Sequence, residues 1–450
     1  MEILVQYLNW LLDLYRGLPW WAVPLFWVAS IVVVSSAISL AILIIRAQSA
    51  IRGVDRVDRD GESEQLQAKY LWVFLVPALN EEVTIADSVG RLREVRVDHK
   101  RILVINDGSE DRTGEILAAM DQRDLTVLTR TAPNARQGKS EALNDAWRYL
   151  SSVILAEGEY AGWDPRRVIV TIVDADGRLD PDAGLVASHF EDERVGGVQS
   201  LVRIYNRRSF LTWAQNIEFS VFGFVFQMGR VGWGTANMGG NGQFNRLQAL
   251  NEVVEVDRSG NRGPWREGRL TEDQDIGLRM IRAGWKGRQS SLVTINQQGL
   301  NSLRALYRQR TRWAQGGWQM LDLVGSLARN QHLGFVAKWD QFWYLMSPLL
   351  QAFVGATVAL SIVLLATGLV HVAWTVPIVV LIYAFSIAPG IAGVLFARRS
   401  LNPLVILWQV VLAHGYAFYS WIIFPVVYRA LWRQLIGVRT WAKTRREAIT

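Results

Sequence analysis

Two carboxylates stand one residue apart in the middle of this sequence of 450 residues. Asp174 and Asp176 come at the end of a short apolar run that begins at Val168. Carboxylates this close repel each other unless a cation or a turn hydrogen bond compensates their charge. Proteins usually hold Mg²⁺ or Mn²⁺ with one or two such carboxylates plus phosphate oxygens. The pattern favours a metal site and an Asx turn about equally.

A third carboxylate, Asp273, is a candidate for proton transfer. Thr271 and Gln274 have the spacing of a capping box, which would place Asp273 in the first turn of a helix. A carboxylate at a helix start beside a substrate pocket is equally suited to act as a general base. The spacing alone leaves both interpretations open.

Three further segments combine polar or glycine residues in ways that suit a binding loop. Asn80 is followed by two glutamates, which predicts a helix N-cap with an acidic first turn. Asp107 precedes a glycine, a common turn pair. Gly239 and Gly240 permit either a close backbone approach to a ligand or a tight turn. Each signal is weak alone.

The segment 303–318 is rich in arginine and tryptophan and precedes a long apolar run. By default it predicts an amphipathic helix lying on anionic lipid. That interpretation explains the arginines. It does not explain the spacing of Gln309, Arg312 and Trp313, which a pair of glycines follows.

The elements that must position these residues are short strands alternating with helices. Apolar, β-rich runs predict buried strands at 71–77, 101–106, 125–130 and 168–174. Helical patterns between them cover 81–95, 111–121 and 139–150. This alternation predicts a parallel sheet with crossover helices, which binds ligands at the carboxyl ends of its strands. Several of the polar segments fall at those ends.

The apolar excess lies at the two ends of the chain. Half of all residues are hydrophobic, and uncharged runs cover 18–45, 341–397 and 400–428. The first would be roughly 42 Å long as a helix, enough to cross a bilayer. These lengths exclude a soluble enzyme.

The number of membrane crossings follows only in part. We expect Leu18 to Ile45 to be a retained transmembrane helix, preceded by an interfacial segment at 1–16. The run 341–397 should form two spans that turn between Gly368 and Trp374. The run 400–428 fits either one crossing or a re-entrant piece, and the sequence leaves both open.

The net charge of +7 belongs to the C-terminal part of the chain. Residues 47–340 carry equal numbers of acidic and basic residues, whereas the basic excess lies within 341–450. A nucleic-acid-binding protein would carry its basic patch on the folded polar domain, so that class is excluded. Arginines beside apolar spans indicate the cytoplasmic side. We therefore expect the N-terminus outside and residues 47–340 in the cytoplasm.

The absence of cysteine and the positions of the histidines exclude several kinds of site. There is no cysteine, hence no disulfide, thiolate metal site or cysteine nucleophile. The five histidines are scattered without ligand spacing, which argues against zinc or haem. No G-x-G-x-x-G follows the first strand, which argues against a dinucleotide-dependent oxidoreductase.

Taken in order, the motifs resemble the membrane-embedded family 2 glycosyltransferases, the processive synthases of cellulose, hyaluronan, chitin and poly-N-acetylglucosamine. The resemblance covers roughly residues 70–320 and the flanking spans. RTRWAQGG is most similar to poly-β-1,6-N-acetylglucosamine synthases. The motifs that carry it are PALNEE (77–82), NDGS (106–109), QGKSEALN (137–144), VDADG (173–177), GG (239–240), TED (271–273) and QRTRW (309–313).

The resemblance implies an α/β, Rossmann-like GT-A domain in the cytoplasm, fused to α-helical transmembrane spans. It divides the chain into an N-terminal segment and span (1–46), the GT-A domain (47–300), amphipathic interfacial helices with the Q-x-x-R-W motif (301–340), and a C-terminal transmembrane region with a basic tail (341–450). The protein would lie in the plasma membrane and cross it several times.

The resemblance also assigns a role to each matching residue. Asp273 would be the catalytic base, and Asp174 and Asp176 would hold Mg²⁺ or Mn²⁺, with Asp176 favoured as the direct ligand. Nucleotide-sugar binding is assigned to Pro77, Ala78, Glu81, Asp107, Lys139, Asp174, Gln309, Arg312 and Trp313. Acceptor binding is assigned to Gly239, Gly240, Glu272 and Trp313. The glycine- and asparagine-rich loop at 239–246 departs from the cellulose synthases, so acceptor identity stays open.

The function implied is processive, inverting polymerisation of a β-linked polysaccharide from UDP-N-acetylglucosamine or UDP-glucose, with secretion across the membrane. The alternative is a non-processive transferase that adds a sugar to a lipid or a short acceptor. The expected partners are a nucleotide-sugar donor, a glycan acceptor and the lipid bilayer, and the resemblance leaves room for an activating or export subunit. A different class of protein, a membrane transporter or receptor whose cytoplasmic domain only senses a nucleotide, would need no general base at Asp273.

Overall fold

The computed structural model describes residues 18–57, 65–369, 387–395 and 402–438, together with residues 380, 383 and 400. The interfacial segment expected at 1–16, the end of the basic tail and most of the second span expected after Gly368 lie outside these residues.

Strands form one eight-stranded sheet and one small hairpin in the described part of the chain. The strands are β1 (Leu71–Ala78), β2 (His99–Asn106), β3 (Leu125–Thr129), β4 (Val168–Ile172), β5 (Arg178–Leu179), β6 (Val195–Ile204), β7 (Gln243–Arg246), β8 (Glu255–Val256), β9 (Arg262–Gly263) and β10 (Lys286–Gln297). The order in the large sheet is β3-β2-β1-β4-β7-β6-β10-β5, and β8 pairs with β9.

Helices connect these strands and extend beyond the sheet at both ends. The α-helices with assigned bounds in the described residues are α1 (Val23–Val57), α2 (Ile85–Arg93), α3 (Thr113–Ala118), α4 (Lys139–Tyr149), α5 (Ala187–Phe190), α6 (Phe210–Ser220), α7 (Met228–Val231), α8 (Leu247–Glu252), α9 (Glu272–Arg282), α10 (Leu303–Gln319), α11 (Val324–Ala328), α12 (Phe335–Ala366), α13 (Pro403–Ile423) and α14 (Val426–Leu435). Residues 387–395 are also helical. Two π-helical stretches follow α4 and α6, at Leu150–Ile154 and Val221–Gln227.

The first half of the sheet confirms the predicted parallel arrangement. β1 pairs in parallel with β2 and with β4, and β2 pairs in parallel with β3. Residues on β1 alternate between two apolar layers: Trp72 and Phe74 pack on one face, and Val73 and Leu75 on the other. Because both faces are covered, the strand is apolar along its whole length.

The second half of the sheet is mixed. β7 runs antiparallel to both β4 and β6, and β10 runs parallel to β6. This Rossmann-like half joined to a mixed half confirms the predicted GT-A class. The loops after β1, β2 and β4 therefore emerge at one edge, where β7 begins and α9 starts.

Three helices in the described residues are long and apolar enough to cross a membrane. They are Val23–Gly53, Phe335–Ala366 and Pro403–Leu435, with mean hydropathies of 2.7, 2.3 and 1.6. α12 ends at Ala366, just before Gly368 at φ +68°, which is where the sequence predicts a turn. A helix followed by a left-handed glycine is a common C-terminal stop.

The third apolar run is divided. α13 ends at Ile423, and after Phe424 and Pro425 a shorter helix, α14, begins at Val426. Val427 and Ala430 of α14 pack against Trp318 of α10. The chain after α13 therefore lies against the helix that carries the Q-x-x-R-W motif.

Candidate active site

A cavity of about 590 Å³ opens at the carboxyl edge of the sheet. The loops after β1, β2 and β4 form one wall, and the N-terminus of α9 together with α10 forms the other. All the site residues predicted from the sequence line it, and their individual roles stay predictions. They are Pro77, Ala78, Glu81, Asp107, Lys139, Asp174, Asp176, Gly239, Gly240, Glu272, Asp273, Gln309, Arg312 and Trp313.

The loop after β1 is held by side chains of the loop after β2. Asn80 has φ +53°, its Oδ1 accepts from the backbone N–H of Glu110 (2.8 Å), and its own N–H donates to Oγ of Ser109 (2.9 Å). The predicted helix N-cap at Asn80 is wrong, because α2 begins at Ile85. Asparagine tolerates the left-handed region of backbone conformation, and here its hydrogen bonds link the two loops. These bonds hold Glu81 at the rim of the cavity.

Asp107 is fixed from two sides. Its Oδ1 accepts from Nη1 of Arg130 and from the backbone N–H of Arg136 (2.9 Å). Arg130 is buried and also contacts Oδ2 of Asp145 (2.6 Å). A charged pair held by further hydrogen bonds keeps a carboxylate in one orientation. The sequence reasoning missed both arginines, since neither lies in a recognisable motif.

Lys139 bridges two walls of the cavity. Its Nζ lies 2.8 Å from Oδ1 of Asp174 and 3.2 Å from Oε1 of Glu272. Burial alone would lower the pKa of Lys139, but the two carboxylates outweigh it and raise that pKa above its usual range. The lysine is therefore a fixed positive charge between the predicted metal-binding and acceptor sides. Glu272, predicted to contact the acceptor, is engaged with Lys139.

The paired carboxylates after β4 fit a divalent cation by their chemistry. Asp174 and Asp176 both face the cavity, and Asp176 is buried, with Oδ2 accepting from the N–H of Gln298 at 3.3 Å. Hard oxygen ligands of this number, completed by phosphate oxygens and water, are what Mg²⁺ takes in nucleotide sites. Within the described ranges, no group of three or more His, Asp or Glu side chains is arranged to hold a metal ion.

Asp273 occupies the first turn of α9. Its Oδ1 accepts from the N–H of Gln274 at 2.8 Å. Burial and the neighbouring charge of Glu272 raise the pKa of Asp273 to about 7, while Lys139 and Arg312 act in the opposite direction. The predicted capping box is wrong: Thr271 precedes the helix but makes no side-chain cap. A carboxyl group with a pKa near neutrality suits proton transfer.

Gly240 allows the backbone to approach this carboxylate. Its φ is +85°, and a Cβ at this position would lie 2.7 Å from Oδ2 of Asp273. Only glycine combines that conformation with that contact. The neighbouring N–H of Gly239 donates to Oε1 of Gln199 at 2.8 Å, which fixes the loop. The glycine pair therefore forms a turn that lies close to Asp273, and its approach to a ligand stays a prediction.

The Q-x-x-R-W residues reach the cavity from α10. Nη1 of Arg312 donates to the carbonyl oxygen of Leu270 at 3.3 Å, just before the start of α9. Trp313 packs edge to face on Phe219, with ring centroids 6.1 Å apart. The expectation that the arginines of this helix lie on lipid is wrong for Arg310, which is buried, and for Arg312.

Tyr344 is a cavity residue that the sequence reasoning missed. Its hydroxyl oxygen accepts from Nε2 of Gln274 (3.0 Å) and Nδ2 of Asn237 (3.3 Å). The guanidinium of Arg230 lies 4.7 Å from its ring centroid and pairs with Asp340. Because Tyr344 stands in a long apolar run, no local signal separated it from an ordinary interfacial tyrosine.

Two family models match overlapping parts of the chain. The one described as glycosyl transferase family group 2 matches residues 169–387, and the one described as glycosyl transferase family 2 matches residues 73–254. Together they include all the predicted site residues.

Similar proteins of known activity cover the same region. A beta-monoglucosyldiacylglycerol synthase from Trichormus variabilis is 32% identical over 280 residues, which is 61% of this chain and 54% of that protein. A poly-beta-1,6-N-acetyl-D-glucosamine synthase from Staphylococcus aureus is 26% identical over 273 residues, 60% of each chain. The matched region thus spans little more than half the length of these relatives.

Among solved structures, a mannosyltransferase from Pyrobaculum calidifontis, in complex with GDP-mannose and Mn²⁺, has a TM-score of 0.48 and 16% sequence identity. The match covers 88% of this chain and 99% of that one. The family models, the relatives and the motif order agree with one another, and this chain belongs to the family 2 glycosyltransferases.

Proposed function

We propose that this protein transfers a sugar from a UDP-sugar to an acceptor hydroxyl with inversion at the anomeric carbon. One observation carries the proposal: the half-buried carboxylate of Asp273 lies in the same cavity as Asp174 and Asp176. A group that can accept a proton thereby faces carboxylates suited to a nucleotide–metal complex. This juxtaposition is what a single displacement at a sugar carbon requires.

In the proposed reaction, the acceptor oxygen forms a bond to the anomeric carbon as the bond from that carbon to the diphosphate oxygen breaks. The proton of the acceptor hydroxyl moves to Asp273, and the electron pair leaves with the diphosphate. One displacement inverts the carbon, so an α-linked donor gives a β-linked product. The pKa of Asp273, about 7, leaves much of this group ready to accept a proton near neutral pH.

Two fixed positive charges would stabilise the leaving group. Lys139 is held between Asp174 and Glu272, and Arg312 is held by the carbonyl of Leu270. Preorganised charges in a water-poor site are a major source of catalysis. Asp174 and Asp176 would hold Mg²⁺ or Mn²⁺, which when bound would supply further charge neutralisation at the diphosphate.

For the acceptor, we propose a growing β-glycan. Aromatic rings of Trp313, Phe219 and Phe222 line the cavity on the side of α10, where a sugar ring could stack. The poly-beta-1,6-N-acetyl-D-glucosamine synthase is a relative that supports this choice. Secretion of the polymer along the membrane helices is part of the same proposal.

A lipid acceptor is the second candidate, and a specific observation favours it. The beta-monoglucosyldiacylglycerol synthase is more similar in sequence, at 32% against 26% identity. The two candidates share the donor site and the base, so they differ only in what approaches Asp273.

The test is a panel of labelled nucleotide sugars offered to the purified full chain with Mg²⁺ or Mn²⁺, followed by product sizing and linkage analysis. A ladder of long β-linked chains supports the glycan acceptor, and a single glycolipid extracted into organic solvent supports the lipid acceptor. Turnover of GDP-mannose without turnover of any UDP-sugar would refute the uridine assignment. An Asp273→Asn variant that made normal product would refute the proposed base.

We also propose that residues 47–300 form the catalytic domain and lie in the cytoplasm, with the interfacial helices at 301–340 and the membrane region at 341–450. The absence of cysteine allows a clean test by single-cysteine labelling with a membrane-impermeant maleimide. A cysteine at exposed Glu115 should react only after cells are opened, and one at exposed Leu369, beyond α12, should react in intact cells. The reverse pattern would refute this orientation.

A further inference from the structure

We infer that Arg310 and Glu218 are positioning residues for the acceptor side of the cavity and connect it to the membrane helix α13. The inference rests on the proposed function, because it assigns their effect to acceptor binding. Neither residue belongs to the set assigned from the sequence motifs. Both lie next to that set: Arg310 follows Gln309 on α10, and Glu218 lines the cavity from α6.

Arg310 is a buried cation held in one orientation. Its side chain is only 5% exposed. Its Nε lies 3.0 Å and 3.2 Å from the two carboxylate oxygens of Glu218, and its Nη2 donates to Oε2 of the same residue. Paired hydrogen bonds between a planar guanidinium and a carboxylate fix both direction and distance. The remaining nitrogen, Nη1, is therefore aimed at a defined point.

That point is the side-chain amide of Gln309. Nη1 of Arg310 donates to Oε1 of Gln309 at 2.6 Å. An arginine can only donate, so the amide oxygen of Gln309 must face Arg310. The amide nitrogen of Gln309 consequently faces the cavity and offers N–H donors there. Hydroxyl oxygens of an acceptor sugar are suitable partners for such donors.

Arg310 also fixes the ring of Trp313. The guanidinium carbon lies 4.1 Å from the Trp313 ring centroid, a short cation–π contact. Phe219, the residue after Glu218, packs edge to face on the same indole. The tryptophan face available for a sugar ring is thus set by the same ion pair that orients Gln309.

The network continues into the third membrane-length helix. Oη of Tyr419 on α13 donates to Oε2 of Glu218 at 2.8 Å, and Tyr419 is buried. Nearby, the hydroxyl of Tyr307 on α10 donates to the carbonyl oxygen of Ile422 on α13. A shift of α13 would therefore move Glu218 and Arg310 relative to the cavity. This links the placement of a membrane helix to acceptor binding.

Arg310→Lys is the direct test. Lysine keeps the charge but cannot contact Glu218, Gln309 and Trp313 together. We expect the KM for acceptor to rise about tenfold or more, a loss of at least one strong hydrogen-bonded contact, with the KM for UDP-sugar within about twofold. Arg308→Lys is the matched control. Arg308 lies on the same helix, is exposed and makes none of these contacts, so its substitution should change neither KM.

Tyr419→Phe tests the link to the membrane helix. It removes one hydrogen bond to Glu218 without changing the shape of the side chain. We expect the KM for acceptor to rise about fivefold, the size of one such bond, again with the KM for donor unchanged.

The double variant Glu218→Met, Arg310→Met distinguishes a role in acceptor binding from a purely structural role. Arg310 is buried and Glu218 is partly buried, and replacing both members of such an ion pair by apolar residues restores stability that a single replacement loses. We expect the melting temperature of the double variant to return close to that of the unchanged protein, while its KM for acceptor stays as high as in Arg310→Lys. Recovery of the KM for acceptor in the double variant would overturn the inference.

Chitopentaose and dioleoylglycerol are the acceptor probes, measured on the full chain in detergent with UDP-sugar and Mn²⁺. Equal changes in both KM values for Arg310→Lys, or no change in the KM for the acceptor probe that is used, would overturn the inference while leaving the proposed function intact. Failure of the unchanged protein to turn over any nucleotide sugar would instead refute the proposed function, and this assignment with it.

Discussion

Replacing Asp273 by asparagine should impair catalysis and stabilise the fold at the same time. Asparagine has nearly the same shape and can still accept the hydrogen bond from the N–H of Gln274. It cannot accept the proton of an acceptor hydroxyl. Loss of a general base typically slows turnover about 10²- to 10⁴-fold. Donor binding should be unchanged, because the residues proposed to contact the nucleoside and the diphosphate lie on other elements.

The gain in stability follows from the raised pKa. A change from 3.8 to about 7 corresponds to on the order of 4 kcal/mol, at about 1.4 kcal/mol per pKa unit. For an acid whose folded pKa is raised, the destabilisation is absent below the unfolded pKa, grows between the two values and is complete above about pH 7. At pH 8 the variant should therefore be more stable than the unchanged protein, and near pH 4 the difference should vanish.

Melting curves in detergent, followed by intrinsic tryptophan fluorescence, measure this difference at pH 4, 6 and 8. The expected increase in melting temperature at pH 8 is several degrees. Glu115→Gln is the matched control, because Glu115 is 77% exposed and should show no such pH-dependent difference. In the unchanged protein, kcat should rise about tenfold per pH unit below pH 7 and level off above it, since the base must be deprotonated.

Two results would refute this reasoning. If Asp273→Asn kept more than about a tenth of the turnover, Asp273 would not be the base. If the variant bound UDP normally but melted at the same temperature as the unchanged protein, or lower, at pH 8, the carboxylate would not be destabilised by burial, and the predicted pH profile would fail with it.

Three further predictions concern the cavity and its support. Gly240→Ala should reduce turnover at least tenfold through contact with the carboxylate of Asp273, the proposed base, and through strain at positive φ, whereas Gly90→Ala, with no neighbour within 4 Å, should not; kcat of both variants checks this. Asp176→Asn should abolish the enhancement of UDP binding by Mn²⁺ in calorimetry, and an unchanged enhancement would contradict its proposed role. Arg230→Met should lower the free energy of unfolding by about 3–5 kcal/mol by leaving Asp340 buried and unpaired, and adding Asp340→Leu should recover most of it in melting curves.

The sequence was informative where local chemistry decides the structure. The strands at 71–78, 99–106 and 168–172 and the helix at 139–149 lie where apolar runs and helical periodicity predict them, because strands buried on both faces must be apolar throughout. The order of the strands also predicts that residues after them share one edge, since parallel strands end on the same side. The common location of Asp107, Asp174 and Asp176 followed from that rule.

Local patterns failed where a distant part of the chain supplies the partner. Asn80 has the sequence of a helix N-cap, yet it braces a loop that lies 30 residues further along. Thr271 and Gln274 have the spacing of a capping box, yet Gln274 donates to Tyr344 on a membrane-length helix. In both cases packing supplied a distant hydrogen-bond partner that no local pattern reveals, although Oε1 of Gln274 also accepts from the hydroxyl of Thr271 at 3.4 Å.

By itself, the sequence determined the family, the membrane-length helices and many of the residues that face the cavity, because each is encoded in residue type and short-range order, whereas Tyr344 and Glu218 were not identified. Only the tertiary structure decided how those residues interact. It placed Lys139 between Asp174 and Glu272, and it buried Asp273 enough to raise its pKa. It also paired Arg310 with Glu218 and Tyr419. Burial and charge at these positions depend on segments that are far apart in the chain, so no local pattern could reveal them.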